Sequence, residues 1–259
     1  MDLPKGLLIE NYEMVRQKIV GFVSNYMDSA GIDSAVLGLS GGVDSSLVAT
    51  LACEAIGADR VYGLMLPVDA KEDSENVKDA VSLADSLDIE HELFEIGPVL
   101  NTFESLELDK ISQGNLIARL RMATWYAKAN KIRGIILGTG NKSEILTGYF
   151  TKYGDGGVDI LPIGELYKVN VWGLAEHVGV PKKLIDKVPS AGLWAGQTDE
   201  GEMGITYREL DSILFLAFDQ GLESEEIVRR GYSRKSVDRV LQLVKKTEHK
   251  REPIPKAPI

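Results

Sequence analysis

Cys53 is the only cysteine in 259 residues, which excludes an internal disulfide framework and any cysteine-rich metal site. No apolar run reaches the 18 or so residues that a membrane-spanning helix needs, so no membrane partner is expected. The opening stretch, MDLPKGLLIENYEMVRQKIV, lacks the apolar core of a signal peptide, and the expected location is cytoplasmic. Positive charge is also scarce. Lys and Arg number 29 against 39 Asp and Glu, a net charge of −10. That balance disfavours a general nucleic-acid or anionic-membrane binder, while a local basic pocket for a small anion stays open. Low-complexity segments and internal repeats are missing too. What remains is a chain 44% hydrophobic and 26% charged, the composition of a soluble globular protein able to bury a substantial core.

Along the chain, short apolar runs alternate with helical periodicity. Residues 8–30 read as an amphipathic helix. Strands are expected at Ala35–Leu39, Val61–Leu66, Glu92–Ile96 and Gly134–Gly138, and intervening helices at Ser45–Ile56, Ser74–Leu87, Val99–Leu106 and Gly114–Asn130. This pattern predicts an α/β fold: a parallel sheet of about five strands covered by helices on both faces, in three layers. From Phe150 to Gly164 the chain turns Gly- and Asp-rich and loses periodicity. Helices resume at Leu166–Val178 and Lys182–Asp186; a polar loop, VPSAGLWAGQTDEGEMG, follows. Further helices are expected at Tyr207–Gln220, Ser224–Arg230 and Lys235–His249. The simplest reading is one domain over residues 1–259 with a helical C-terminal extension.

The stretch VLGLSGGVDSSLVATLA (36–52) places Ser40, Gly41, Gly42, Asp44, Ser45 and Ser46 where a strand meets a helix. Paired glycines let backbone N–H groups approach an anion, and the helix start adds its positive end. A tight turn with a good N-cap is the alternative reading of the same residues. Asp44 beside phosphate calls for a cation, and Mg²⁺ suits it. The loop has no lysine, so it is not a Walker A loop. Gly138-Thr139-Gly140-Asn141-Lys142-Ser143 fails both Walker A and the dinucleotide pattern, because Asn141 precedes the lysine and Ser143 stands in place of the last glycine.

GLSGGVDSS (38–46) resembles the pyrophosphate-binding loop of the N-type ATP pyrophosphatases, which cleave ATP between its α and β phosphates. Four further stretches, GNLIARLRM (114–122), LGTGNKSE (137–144), FTKYGDGGVDILPIGELYK (150–168) and TEHKR (247–251), resemble the ammonia-dependent NAD⁺ synthetase branch. The resemblance spans most of the chain. It implies a Rossmann-like fold of the adenine nucleotide alpha-hydrolase type, and an enzyme that amidates deamido-NAD⁺ with ammonia through an adenylated intermediate. ATP would bind at Gly38, Leu39, Ser40, Gly41, Gly42, Val43, Asp44 and Ser45, with Thr139, Lys168 and Ser190. Mg²⁺ would be held by Asp44 and Glu144, and Asp44, Glu144 and Lys168 would serve catalysis. Deamido-NAD⁺ would be held by Arg119, Lys152, Asp159, His249 and Lys250, across the interface of a homodimer. Ser190 stands where the family commonly has threonine, and Gly192 where it usually has an acid.

Plainer roles exist for several of these residues. Glu144 could be a solvated helix acid, Thr139 a turn residue, Lys168 a solvated lysine and Arg119 a surface residue. His249 and Lys250 suit a helix C-terminus without any ligand. Cys53 reads as a small core residue rather than a nucleophile. Because the sheet begins near residue 35, no glutaminase or amidase domain is expected, and ammonia would come from solution or a separate protein. A GMP-synthetase-type enzyme is the runner-up, a tRNA-modifying relative comes third, and a non-catalytic adenine-nucleotide sensor is the reading from another class.

Overall fold

Each strand's two-residue repeat sends its side chains to opposite faces, and in three of the four strands both faces are apolar and buried. The computed structural model describes residues 3–194 and 196–258. The chain runs α1 (Tyr12–Ala30), β1 (Ser34–Gly38), α2 (Val43–Ile56), β2 (Val61–Met65), α3 (Ser74–Leu87), β3 (Glu90–Leu93), α4 (Gly97–Asn101), α5 (Lys110–Ile132) and β4 (Gly134–Ile136). It continues through α6 (Lys142–Thr147), α7 (Lys168–His177), α8 (Lys182–Ile185), α9 (Asp199–Met203), α10 (Tyr207–Leu214), α11 (Ser224–Arg229) and α12 (Arg234–Lys246). The strands form one parallel sheet in the order β3-β2-β1-β4, with Ala35 opposite Val61 and Ile135, and Tyr62 opposite Glu90. The described residues thus form four strands rather than about five, and beyond β4 a lone parallel bridge, Leu137 to Ile160, extends the pairing without making a strand.

Ala35 and Leu37 of β1, Val61 and Met65 of β2 and Ile135 of β4 pack under α1, α2 and α7. Val36, Tyr62, Leu64 and Ile136 face the other way, onto Ile117 and Ala129 of α5. A third apolar cluster, including Leu210, Ile213, Val237 and Val240, joins α10 to α12 as a helical C-terminal lobe. Three layers and a helical extension are therefore present. No helix among the described residues is long and apolar enough to cross a membrane.

Element boundaries differ in instructive ways. The third strand lies at Glu90–Leu93, earlier than the apolar run 92–96, because an exposed edge strand needs little apolar content. The expected helix at Val99–Leu106 splits into α4 and a 3₁₀ turn at Glu104–Leu106. The helix expected from Gly114 begins four residues earlier at Lys110, because the Asp109 carboxylate accepts the Ser112 N–H at 2.7 Å and caps it. At Phe215–Asp219 the expected helix passes into a π turn. Short α6 and α9 escaped the periodicity reading, which needs longer windows.

β1 is central, with β2 on one side and β4 on the other. The chain thus leaves β1 and β4 at a topological switch point, where α/β sheets open a crevice.

Cys53 is half-buried in α2 against this core, and burial pushes its thiol up to about 11. The native protein should therefore react with a thiol reagent at pH 8 on the order of a hundredfold more slowly than the urea-unfolded chain, since only the thiolate attacks. Equal rates would contradict this packing.

Candidate active site

The turn after β1 is held open by its own side chains. Gly41 adopts φ +73°, and an added Cβ would sit 2.5 Å from the Asn76 carbonyl oxygen of α3, so only glycine fits. The Gly42 N–H donates to Ser40 Oγ at 3.3 Å, and the Ser40 and Ser45 hydroxyls lie 3.0 Å apart. Ser46 is buried and donates to the Gly42 carbonyl at 2.7 Å. Its hydroxyl is consumed inside the turn; Ser45, also buried, likewise donates to the Gly42 carbonyl, at 3.1 Å, and accepts the Ser40 N–H at 3.3 Å, but it and Ser40 line the cleft where Ser46 does not. Gly42, at the α2 N-cap position, brings no side-chain cap. The first amides of this 14-residue helix therefore face the cleft, with the helix dipole behind them.

The turn after β4 brings the second half. Asn141, fully buried, caps α6: its side-chain oxygen accepts the Glu144 N–H at 3.1 Å, and Glu144 Oε2 accepts the Asn141 N–H at 3.1 Å. The Asn141 side-chain amide also donates to Asp44 Oδ1 at 2.9 Å. One asparagine thus ties both turns together. Sequence reading missed it, since it registered only as the residue that spoils a Walker A match.

Lys168 sits between the acids. Its ammonium pairs with Asp44 and lies 4.0 Å from Glu144. It is only 2% exposed, with the Tyr207 ring face 5.2 Å away. Burial pulls the Lys168 pKa down, but Asp44 and Glu144 outweigh that and leave it raised. Burial, with the negative charge of Asp44 added, pushes the Glu144 carboxyl above the usual range, against the pull of the Lys168 ammonium. The plain reading of Lys168 as a solvated lysine is thereby overturned, and so is that of Glu144 as a solvated helix acid.

Behind this trio, Asp211 of α10 is fully buried. Its carboxylate accepts from the Ser143 hydroxyl at 2.5 Å and from the Val169 N–H at 2.9 Å, while Ser143 Oγ accepts the Lys168 N–H at 2.9 Å. Asp211 and Ser143 thus supply the cap that Tyr167 does not give α7. Burial pushes the Asp211 carboxyl up to about 7. A sequence signal existed: a lone acid flanked by Leu210, Ile213 and Leu214 on the apolar face of α10.

The cleft around these groups is lined by Gly38 through Ser45, Thr139, Glu144, Lys168, Ser190 and Lys250. Ser190 Oγ accepts the Gly192 N–H at 3.2 Å, and Gly192 adopts φ +60°, a backbone state that its lack of a side chain permits. Ala195 of that loop lies outside the described residues. Lys250 reaches the Gly148 and Phe150 carbonyls at 2.6 and 2.5 Å, anchoring the C-terminal turn at the rim. Arg119, Lys152 and His249 fall outside this lining: the Arg119 guanidinium donates to the Lys152 carbonyl at 3.3 Å, and Lys152 Nζ to the His249 carbonyl at 2.6 Å. Asp159 is turned elsewhere, accepting the Ile136 N–H at 2.7 Å and the Tyr126 hydroxyl at 3.0 Å. One chain therefore assembles the loop, the acid pair and the lysine in its cleft, and leaves most of the other expected contacts on an adjoining face.

The sequence matches the NAD synthase family over residues 15–254. An NH₃-dependent NAD⁺ synthetase of Archaeoglobus fulgidus is 46% identical over 249 residues, 95% of this chain and 97% of that protein. Its counterpart in Methanosarcina acetivorans is 45% identical over 253 residues, 95% and 98% of the two chains. Among solved structures, an NH₃-dependent NAD synthetase of Campylobacter jejuni, in complex with the nitrate ion, is similar with a TM-score of 0.83 at 28% identity, covering 97% of this chain and 100% of that one. An NMN synthetase from Francisella tularensis gives a TM-score of 0.84 at 36% identity, with the same coverage.

Asp211→Ala should lower the unfolding free energy by about 2–4 kcal/mol, because it leaves the Ser143 hydroxyl and Val169 N–H unpaired in the core beside a small cavity. Asp211→Asn should recover part of the loss. Urea unfolding checks both, and an unchanged midpoint for the alanine variant would contradict the role assigned to Asp211.

Proposed function

The chain belongs to the NAD synthase family, and from that premise we propose how its own residues divide the work of the reaction. It is a ligase that uses ATP to amidate deamido-NAD⁺ with ammonia, releasing NAD⁺, AMP and pyrophosphate. The observation that carries the residue assignment is the convergence of Asp44, Glu144 and the buried Lys168 ammonium beside an amide-lined loop.

The Gly41–Ser45 turn and the α2 N-terminus bind the β and γ phosphates through backbone N–H groups and the Ser40 and Ser45 hydroxyls. Lys168 balances phosphate charge. The Thr139 and Ser190 hydroxyls, both on the cleft wall, contact the nucleotide. Asp44 and Glu144 would hold Mg²⁺. The donor set suits it: two hard carboxylates face the cleft, their side chains 19% and 18% exposed. Among the described residues no group of three or more potential ligands is gathered, so phosphate oxygens and water would complete the shell, as this ion prefers. Bound there, Mg²⁺ would supply neutralisation of the polyphosphate charge.

The nicotinate carboxylate oxygen of deamido-NAD⁺ attacks the α-phosphorus, and the bond to the bridging oxygen breaks, sending its electron pair to pyrophosphate. Ammonia then attacks the acyl carbon. The carbon–oxygen bond to AMP breaks, and one nitrogen-bound proton is lost to solvent. The chain's contribution is positioning and charge stabilisation; half-buried Cys53 is no nucleophile.

Arg119, Lys152, Asp159, His249 and Lys250 hold deamido-NAD⁺ between two copies of the chain, an assignment supported by how many of them lie beside the single-chain cleft rather than in it. Phe22 and Tyr26 of α1 and Ile111 of α5 leave apolar surface for such a contact, at 46%, 38% and 70% exposure. The whole chain acts as one synthetase domain in the cytoplasm, taking ammonia from solution or from a separate protein, with neither nucleic acid nor membrane as a partner.

Incubating pure protein with Mg²⁺-ATP, ammonium and deamido-NAD⁺ should give AMP and NAD⁺ in equal amounts. Asp44→Asn or Glu144→Gln should lower kcat by about 100-fold or more. Amidation of xanthylate instead would select a GMP-synthetase-type enzyme, preference for the mononucleotide acid would align the chain with the Francisella NMN synthetase, and ATP binding without AMP release would indicate a sensor.

A further inference from the structure

Asp79 of α3 is an acid that the reading above leaves without a task, yet it is only 6% exposed. It accepts from two lysines, Lys183 at 2.6 Å and Lys187 at 2.7 Å. The two differ in what else they do. Lys183 is 63% exposed and reaches Glu75 at 3.6 Å, an ordinary surface pairing. Lys187 is 25% exposed, lines the nucleotide cleft, and donates at 3.1 Å to the carbonyl of Gly41 in the phosphate loop.

This contact has a directional consequence. Gly41 has its carbonyl tied to a cation, so that end of the peptide is held away from the cleft's anion-binding side. Asn76 and Asp79 lie three residues apart on one face of α3. The first backs the Gly41 Cα, and the second holds the lysine against the Gly41 oxygen. A lysine ammonium has three donors. Two are committed, to Asp79 and to Gly41, and the third has no acceptor among the described residues. Burial works against ionised Asp79, but the two lysines outweigh it and hold its carboxyl below the usual range.

We propose that Lys187 is a second cation of the pyrophosphate site, steered by Asp79 beneath the phosphate loop so that its remaining N–H takes an oxygen of the departing pyrophosphate. The inference rests on the loop being the pyrophosphate site of an ATP-cleaving enzyme. Lys168 acts from beside the acid pair; Lys187 approaches from the loop after α8, through the backbone of the phosphate loop. As the bridging bond breaks, negative charge accumulates on the leaving pyrophosphate, and a cation already held in place stabilises that charge without rearranging. Asp79 is a positioning residue in this scheme.

Calorimetric binding of magnesium pyrophosphate to the whole protein tests this, because it needs no acid substrate and so does not depend on which acid is amidated. Lys187→Ala should weaken pyrophosphate binding by about tenfold, the scale of one charge-assisted hydrogen bond, while AMP binding stays within twofold of the parent. Lys187→Arg should restore most of the affinity, and Asp79→Asn, which keeps the lysine but frees it, should give a smaller loss. Lys183→Ala should leave pyrophosphate binding unchanged. Equal weakening of pyrophosphate and AMP binding, or equal losses from Lys183→Ala and Lys187→Ala, would overturn the proposal and make Lys187 a strut of the loop. Absence of pyrophosphate binding by the unsubstituted protein would instead count against the underlying ATP-cleaving reading, and this inference would fall with it.

Discussion

A lysine ammonium taken out of water must be repaid by nearby negative charge, and that requirement organises this molecule. Lys168 is nearly inaccessible, and the Asp44 and Glu144 carboxylates are what make its burial tolerable. The constraint runs in both directions. Two acids in one cleft repel each other, and the ammonium between them relieves that repulsion. The three groups come from α2, α6 and α7, so all three helix starts must be placed together. Asn141 does part of this by bonding both turns, and Asp211 with Ser143 does the rest from the C-terminal lobe. The lobe is therefore part of the site's construction, because its apolar packing delivers the buried carboxylate that caps α7.

The same arrangement is ready for a nucleotide. Under the proposed function, a polyphosphate tail entering the loop would meet amides, a helix end and fixed cations, and the acid pair would exchange its partner from ammonium to metal as phosphate charge arrives. Such a site performs its chemistry by holding charges that are already oriented, which is why it needs no covalent nucleophile.

Much of this was legible in the residues themselves. The alternation of apolar runs with helical periods marked the parallel sheet, and Gly41-Gly42 followed by Asp44 marked the strand–helix turn that the structure places at the cleft. Those signals are local, so one sequence carries them. The sheet's edge was less legible, because β3 has exposed side chains and its pairing comes from backbone bonds to β2. Asn141, Ser143, Asp211 and Lys187 were not read as site residues at all. Each matters through a partner between 25 and 146 residues away, and spacing along a chain carries no such information. Asp211 alone left a trace, as an acid where α10 should be apolar. The same limit explains Ser46, whose hydroxyl looked like a phosphate donor and is in fact spent on the Gly42 carbonyl.

The account turns on Asp44 and Glu144 jointly receiving a divalent cation once ATP occupies the loop. Manganese, which reports its own binding by electron paramagnetic resonance, can replace magnesium with a non-cleavable ATP analogue in place. The prediction is a nucleotide-dependent bound-manganese signal in the unsubstituted protein that is lost in Asp44→Asn and in Glu144→Gln, with both variants still folded. An undiminished signal in both variants would place the cation elsewhere and contradict the account.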